Sequence, residues 1–202
     1  MPWILYLLAH GLYFEIAGRP GAPDFWNLTS TPALVLVQQI STIALVLAFS
    51  GRAAKSVLSL HRIETGTLIN LSAIPFLIVV PIKALLSGYF PYPLPPGQPA
   101  PFDPYFNFVS LISLAPLSEE LLFRGFLLSA LSKYGFWPAA LIVNILWAAM
   151  HAGSPFIEIA TTFTLGLLFS FILWRSGSLW TCILAHALCN AGPAIVPLIF
   201  RG

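Results

Sequence analysis

The run Ser118-Glu119-Glu120-Leu121-Leu122-Phe123-Arg124 puts three ionisable side chains into an otherwise apolar stretch. Charge inside a bilayer costs about 2.5–3.5 kcal/mol per residue on insertion scales, so such residues are functional candidates. Helical spacing separates their roles. Glu120 and Arg124 are four residues apart, share a face and can pair, which lowers the cost of burying both. Glu119 lies about 100° round the helix from Glu120 and is free of that pair. A carboxylate sheltered from water and spared from an ion pair is available for proton transfer, the work of a general base or acid. Pro116 and Ser118 read as a helix start or a kink. If a helix starts there, both glutamates sit in its first turn, where negative charge is favoured. The plainer reading of the whole cluster is a structural ion-pair group.

Two further pairs stand on separate apolar segments. Trp147 and His151 share a helical face, as do His186 and Asn190. Taken singly, His151 reads as an interfacial histidine and His186 with Asn190 as interhelical polar glue. Taken together, three antiparallel helices can bring a carboxylate, two imidazoles and an amide to one buried pocket, at depths of roughly 10–22 Å from the helix ends at 1.5 Å per residue. A Glu and a His sharing one water can deprotonate it for attack on a carbonyl. A second His and an Asn can stabilise the oxyanion that forms. No Ser-His-Asp set is evident and HExxH is absent. Glu119, His151 and His186 could in principle ligate a metal. Asn190 is a poor zinc ligand, however, and the sequence alone shows no carboxylate backing either histidine, so neither metal nor cofactor is expected. A small transporter with a proton-binding Glu119 is a further possibility, against which the lack of paired repeats counts.

The elements that carry these groups are apolar throughout. The 202 residues are 58% hydrophobic and 8% charged. Soluble domains run near 25% charged, so a water-soluble enzyme or binding module is excluded. The expected architecture is all-α: a polytopic transmembrane bundle of about six to eight helices in a single integral membrane domain over residues 1–202, with its motif-bearing core at 106–195. Apolar stretches run roughly over 2–18, 31–50, 67–88, 106–132, 136–152, 156–174 and 179–200. The first carries His10 and Glu15 and either spans or lies at the interface. Met1 to Leu8 lacks the basic start of a cleavable signal peptide. Residues 51–66 interleave Arg52, Lys55, His61 and Arg62 with apolar side chains, which suits a cytoplasmic membrane surface as well as an ordinary charged loop. Residues 89–105 hold seven prolines between Pro91 and Pro104 and read as a stiff, extended loop that caps the outer face. Placing 51–66 in the cytoplasm puts Lys133 and Arg175 there too, and only Arg19 and Arg201 outside. Lys83 is expected to snorkel, Glu158 to meet water, and Gln38 and Gln39 to bond between helices. The basic residues form no run, so nucleic acid is not a partner. Cys182 and Cys189, in one helix, are expected to be small buried apolar groups.

Glu119-Glu120-x-x-x-Arg124, Trp147-x-x-x-His151 and His186-x-x-x-Asn190, in that order, resemble the three motifs of the CPBP family. That family includes the type II CAAX prenyl endopeptidases and the bacterial Abi-type immunity proteins. The resemblance covers about residues 106–195 and implies an all-helical, metal-independent intramembrane glutamate protease fold. By the same resemblance, Glu119 and His151 activate water, His186 and Asn190 form the oxyanion hole, and Glu120 and Arg124 support the site. It further implies a membrane protein or peptide substrate, the lipid bilayer as surroundings and a prokaryotic cell (inner) membrane as location. The second motif usually begins with Phe; here it begins with Trp147. The other role open to such a chain is non-enzymatic, as a bacteriocin-immunity or membrane scaffold protein.

Overall fold

Pro32 opens the first described helix, where a missing N–H costs nothing, and Gly51, at φ +56°, lets the chain leave it. This helix, α1 (Pro32–Ser50), is the first element of a computed structural model that describes residues 32–87, 108–151 and 156–200, with the side chains of 32–34, 83–87 and 193–200 left aside. The expectations for 2–18 and 89–105, including His10 and Glu15, and for the Lys83 side chain, lie outside the described residues.

A 3₁₀ turn (Gly51–Ala53) and the short α2 (Ala54–Val57) follow, then α3 (Thr65–Ser87), which holds Pro75 and Pro81 within it. Residues 108–131 wind continuously but unevenly. A π-turn (Phe108–Leu114) leads into α4 (Ala115–Glu120), a second π-turn (Leu121–Leu127) and α5 (Leu128–Leu131). Gly135, at φ +105°, redirects the chain into α6 (Phe136–Ala149). α7 (Phe156–Ser176) ends at Gly177, whose φ of +65° lets its N–H close on the Leu173 carbonyl at 2.7 Å. α8 (Leu179–Phe200) completes the set. The described residues are thus all helix and connection, as the composition implies.

The burial pattern is that of a protein solvated by lipid. Phe49 (75% exposed), Leu77 (66%) and the α6 row Leu141, Ile142, Ile145 and Leu146 face outward, while Glu120, Arg124, Asn144, Ser170 and Thr181 are buried. The apolar core between them joins Leu121, Phe123, Leu128, Val143, Trp147, Phe169, Ile172 and Leu179. Among the described residues three helices are long and apolar enough to cross a membrane: Val35–Val57, Thr65–Ile82 and Phe156–Ser176. Phe136–Ala149 and Leu179–Gly192 are shorter apolar helices. At 1.5 Å per residue α6 reaches about 21 Å, short of a hydrocarbon core of about 30 Å.

The basic segment is bound to the bundle through its backbone. Ser129 Oγ donates to the Val57 carbonyl (2.7 Å), the Leu179 N–H to Ser59 (2.9 Å) and Ser178 Oγ to His61 (2.7 Å). Ser59 takes a left-handed turn, φ +53°, that drives Leu58 fully into the core against Gly125, where an added Cβ would meet Leu58 Cδ2 at 3.1 Å. These bonds gather the connections carrying Arg52, Lys55, Arg62, Lys133 and Arg175 at one end of the molecule, in keeping with the alternation read from the loops.

Candidate active site

Pro116 does not begin a helix, since the chain already winds from Phe108. Ser118 is no cap: its hydroxyl bonds back to the Ala115 carbonyl at 3.1 Å. The winding is irregular on both sides of Pro116, and the proline brings no donor of its own. In a π-winding the Leu111 carbonyl would accept from residue 116, which as proline has no N–H. Asn190 of α8 supplies one instead, with Nδ2 2.8 Å from that oxygen. On the other side, Gln39 of α1 pairs with Ser110, Nε2 to Oγ at 3.0 Å. Side chains from two neighbouring helices thus secure the stretch that leads into the glutamates, and the first-turn stabilisation of Glu119 and Glu120 does not arise.

Glu120 and Arg124 pair as their spacing implies, with Nη1 donating to Oε1 at 3.1 Å and both side chains wholly buried. The same Oε1 lies 2.9 Å from His186 Nδ1. Arg124 Nη2 donates to Asn144 Oδ1 (2.6 Å), Asn144 Nδ2 to Ser170 Oγ (3.1 Å), and Ser170 Oγ to the Gly166 carbonyl (3.0 Å). Gly166 makes room for this chain: a Cβ there would collide with Asn144 Oδ1 and stand 2.7 Å from Arg124 Nη2. The guanidinium also lies over the Trp147 ring at 4.2 Å and near Phe169 at 5.5 Å. A buried ion pair stands only when hydrogen bonds and close contacts offset its desolvation, and these supply them. Glu120 Oε2 and Arg124 Nε are buried with no hydrogen-bond partner among the described residues.

Glu119, one residue earlier, turns away from this pair. Its Oε2 accepts from Trp147 Nε1 at 2.6 Å, and the side chain is half-buried. His151 follows the end of α6 with its Nδ1 3.1 Å from the Trp147 carbonyl and its ring edge-on to the indole at 5.7 Å. His186 meets the same indole at 5.4 Å and stacks on Phe169 at 5.4 Å and 26°. Trp147, only 2% exposed, therefore touches Glu119, Arg124, His151 and His186 at once.

His186 and Asn190 do not aim at one point. The first turns to Glu120 and is buried, whereas the second turns to Leu111 and is exposed. Facing a carboxylate fixes the proton on His186 Nδ1. Nε2 is then an acceptor in the neutral ring and a donor when both nitrogens are protonated. Among the described residues no group of three His, Cys, Asp or Glu side chains is placed to hold a metal. Cys182 is buried, with Sγ 3.1 Å from the Phe169 carbonyl, and Cys189 is half-buried; both are free. Asn144, Gly166, Phe169 and Ser170 escaped the reading of the sequence. An amide in an apolar stretch is the one signal that pointed to Asn144, and nothing local tied it to Arg124.

Residues 101–192 match the model of the Rce1-like family, the type II CAAX prenyl endopeptidase Rce1-like proteins. An Escherichia coli protein named "Uncharacterized 24.3 kDa protein" is 36% identical over 88 residues, which cover 42% of this chain and 41% of that one. A Bacillus subtilis (strain 168) protein named "Putative membrane peptidase YdiL" is 31% identical over 86 residues, 42% of this chain and 34% of that one. The matched stretch thus spans well under half of either relative. No solved structure matches. The family likeness carried by the three motifs is therefore shown for the segment holding the site, in a membrane protein.

Proposed function

We propose that this chain, Rce1-like over residues 101–192, is an intramembrane endopeptidase that hydrolyses a peptide bond of a membrane-associated protein or peptide. The observation that carries the reading is the meeting of Glu119, His151 and His186 on the one buried indole of Trp147. Glu119, outside the ion pair, takes a proton from a water shared with His151. The hydroxide attacks the scissile carbonyl, and the oxyanion draws on His186 Nε2–H when that ring carries both protons, and on the Asn190 amide once it turns from the Leu111 carbonyl. The proton held by Glu119 passes to the leaving amine, so water is divided between the two products. Glu120 and Arg124 hold His186. The setting is the inner membrane of a prokaryotic cell.

The test uses the chain in proteoliposomes with two internally quenched probes: a peptide prenylated at a C-terminal CAAX cysteine, and an unlipidated transmembrane peptide. Cleavage of either is expected, falling about 10²–10⁴-fold in Glu119→Ala and in His186→Ala while both variants still insert. Which probe is cut decides whether the substrate is lipidated. Wild-type turnover by Glu119→Ala would falsify the mechanism. Neither probe cut, together with cellular function retained by Glu119→Ala, would favour an immunity or scaffold role.

A further inference from the structure

The residue that opens the second motif is large, buried and able to donate a hydrogen bond, and each property is used. We infer that Trp147 is the positioning residue for the proton-transferring carboxylate, an inference that rests on the proposed role of Glu119. The indole is clamped on several sides: by the Arg124 guanidinium 4.2 Å from its ring, by His186 at 5.4 Å, His151 at 5.7 Å and Phe169 at 5.8 Å. A ring so held cannot swing, so its single N–H points in one direction. That N–H meets Glu119 Oε2 at 2.6 Å, a short, charge-assisted contact. Glu119 is half-buried at the edge of the cluster. Anchoring Oε2 leaves Oε1 for the water. The phenylalanine usual at this motif position fills similar space but has no N–H, so in this chain the aromatic does more than pack.

Trp147→Phe separates the two roles, because it keeps a ring beneath Arg124 and removes one donor. In the proteoliposome assay it lowers kcat about 10- to 100-fold, the cost of a lost bond to a charged group or of a misplaced base, while KM and the melting temperature stay near wild type. The contact is read without turnover from the indole N–H resonances of ¹⁵N-tryptophan-labelled protein in micelles. Of the six tryptophans, the resonance that Trp147→Phe deletes is also the one that Glu119→Ala moves upfield. If Glu119→Ala leaves that resonance in place, the contact is absent and the inference fails. A Trp147→Phe enzyme with wild-type kcat overturns the positioning role, as does a loss that appears equally in melting temperature. Full turnover by Glu119→Ala instead sinks the proposed function, and the resonance shift tells that failure apart.

Discussion

Glu120 and Glu119 are adjacent in sequence and live in different environments. Glu120 is sealed on all sides and shares one oxygen between Arg124 and His186, while Arg124 is held in turn by Asn144 and two aromatic faces. Glu119 is half-buried and, among the described residues, bonds to an indole N–H. One residue of helical rotation separates a group fixed from many directions from a group that meets an indole N–H at the cluster's edge. Stability therefore concentrates around Glu120, and the proposed proton transfer falls to its less constrained neighbour.

The largest effect expected is from Arg124→Leu, which strands Glu120 without its counter-charge. Breaking one partner of a buried pair costs about 3–5 kcal/mol, so this variant should show the greatest drop in melting temperature in micelles. Glu119→Gln should lose less than about 1 kcal/mol in the same measurement, and an equal loss would erase the contrast. Next comes Gly166→Ala, whose methyl must displace Asn144 and Arg124, at about 1–3 kcal/mol. Asn144→Leu, which leaves Arg124 Nη2 without its acceptor, falls in the same range. Gln39→Leu, at a residue bonded to Ser110 and not to the ion pair, should cost about 1 kcal/mol by loosening α1 from Ser110. A loss from Gln39→Leu that matched Arg124→Leu would show that stability is not centred on the ion pair.

What could be read beforehand was what lies close along the chain. The stretches 67–88 and 156–174 became Thr65–Ser87 and Phe156–Ser176, because apolar runs bounded by polar turns leave little choice. The Glu120–Arg124 pair was legible as a spacing of four. The bond from Glu120 to His186, 66 residues on, was not, since it depends on how α8 packs. Pro116 left start and kink equally open, and the start is excluded only by the winding that precedes it from Phe108. The alternation of Lys and Arg brought the basic connections together at one end, yet could not foresee that Leu58 plugs the core there.

The fastening of residues 57–61 has a consequence for variation. Its three bonds are accepted by the carbonyls of Val57, Ser59 and His61, groups that every amino acid possesses. Arg52, Lys55 and Arg62 take no part and lie exposed. The collar can therefore change its charge freely under selection by the membrane it meets, while the seam that secures it stays the same.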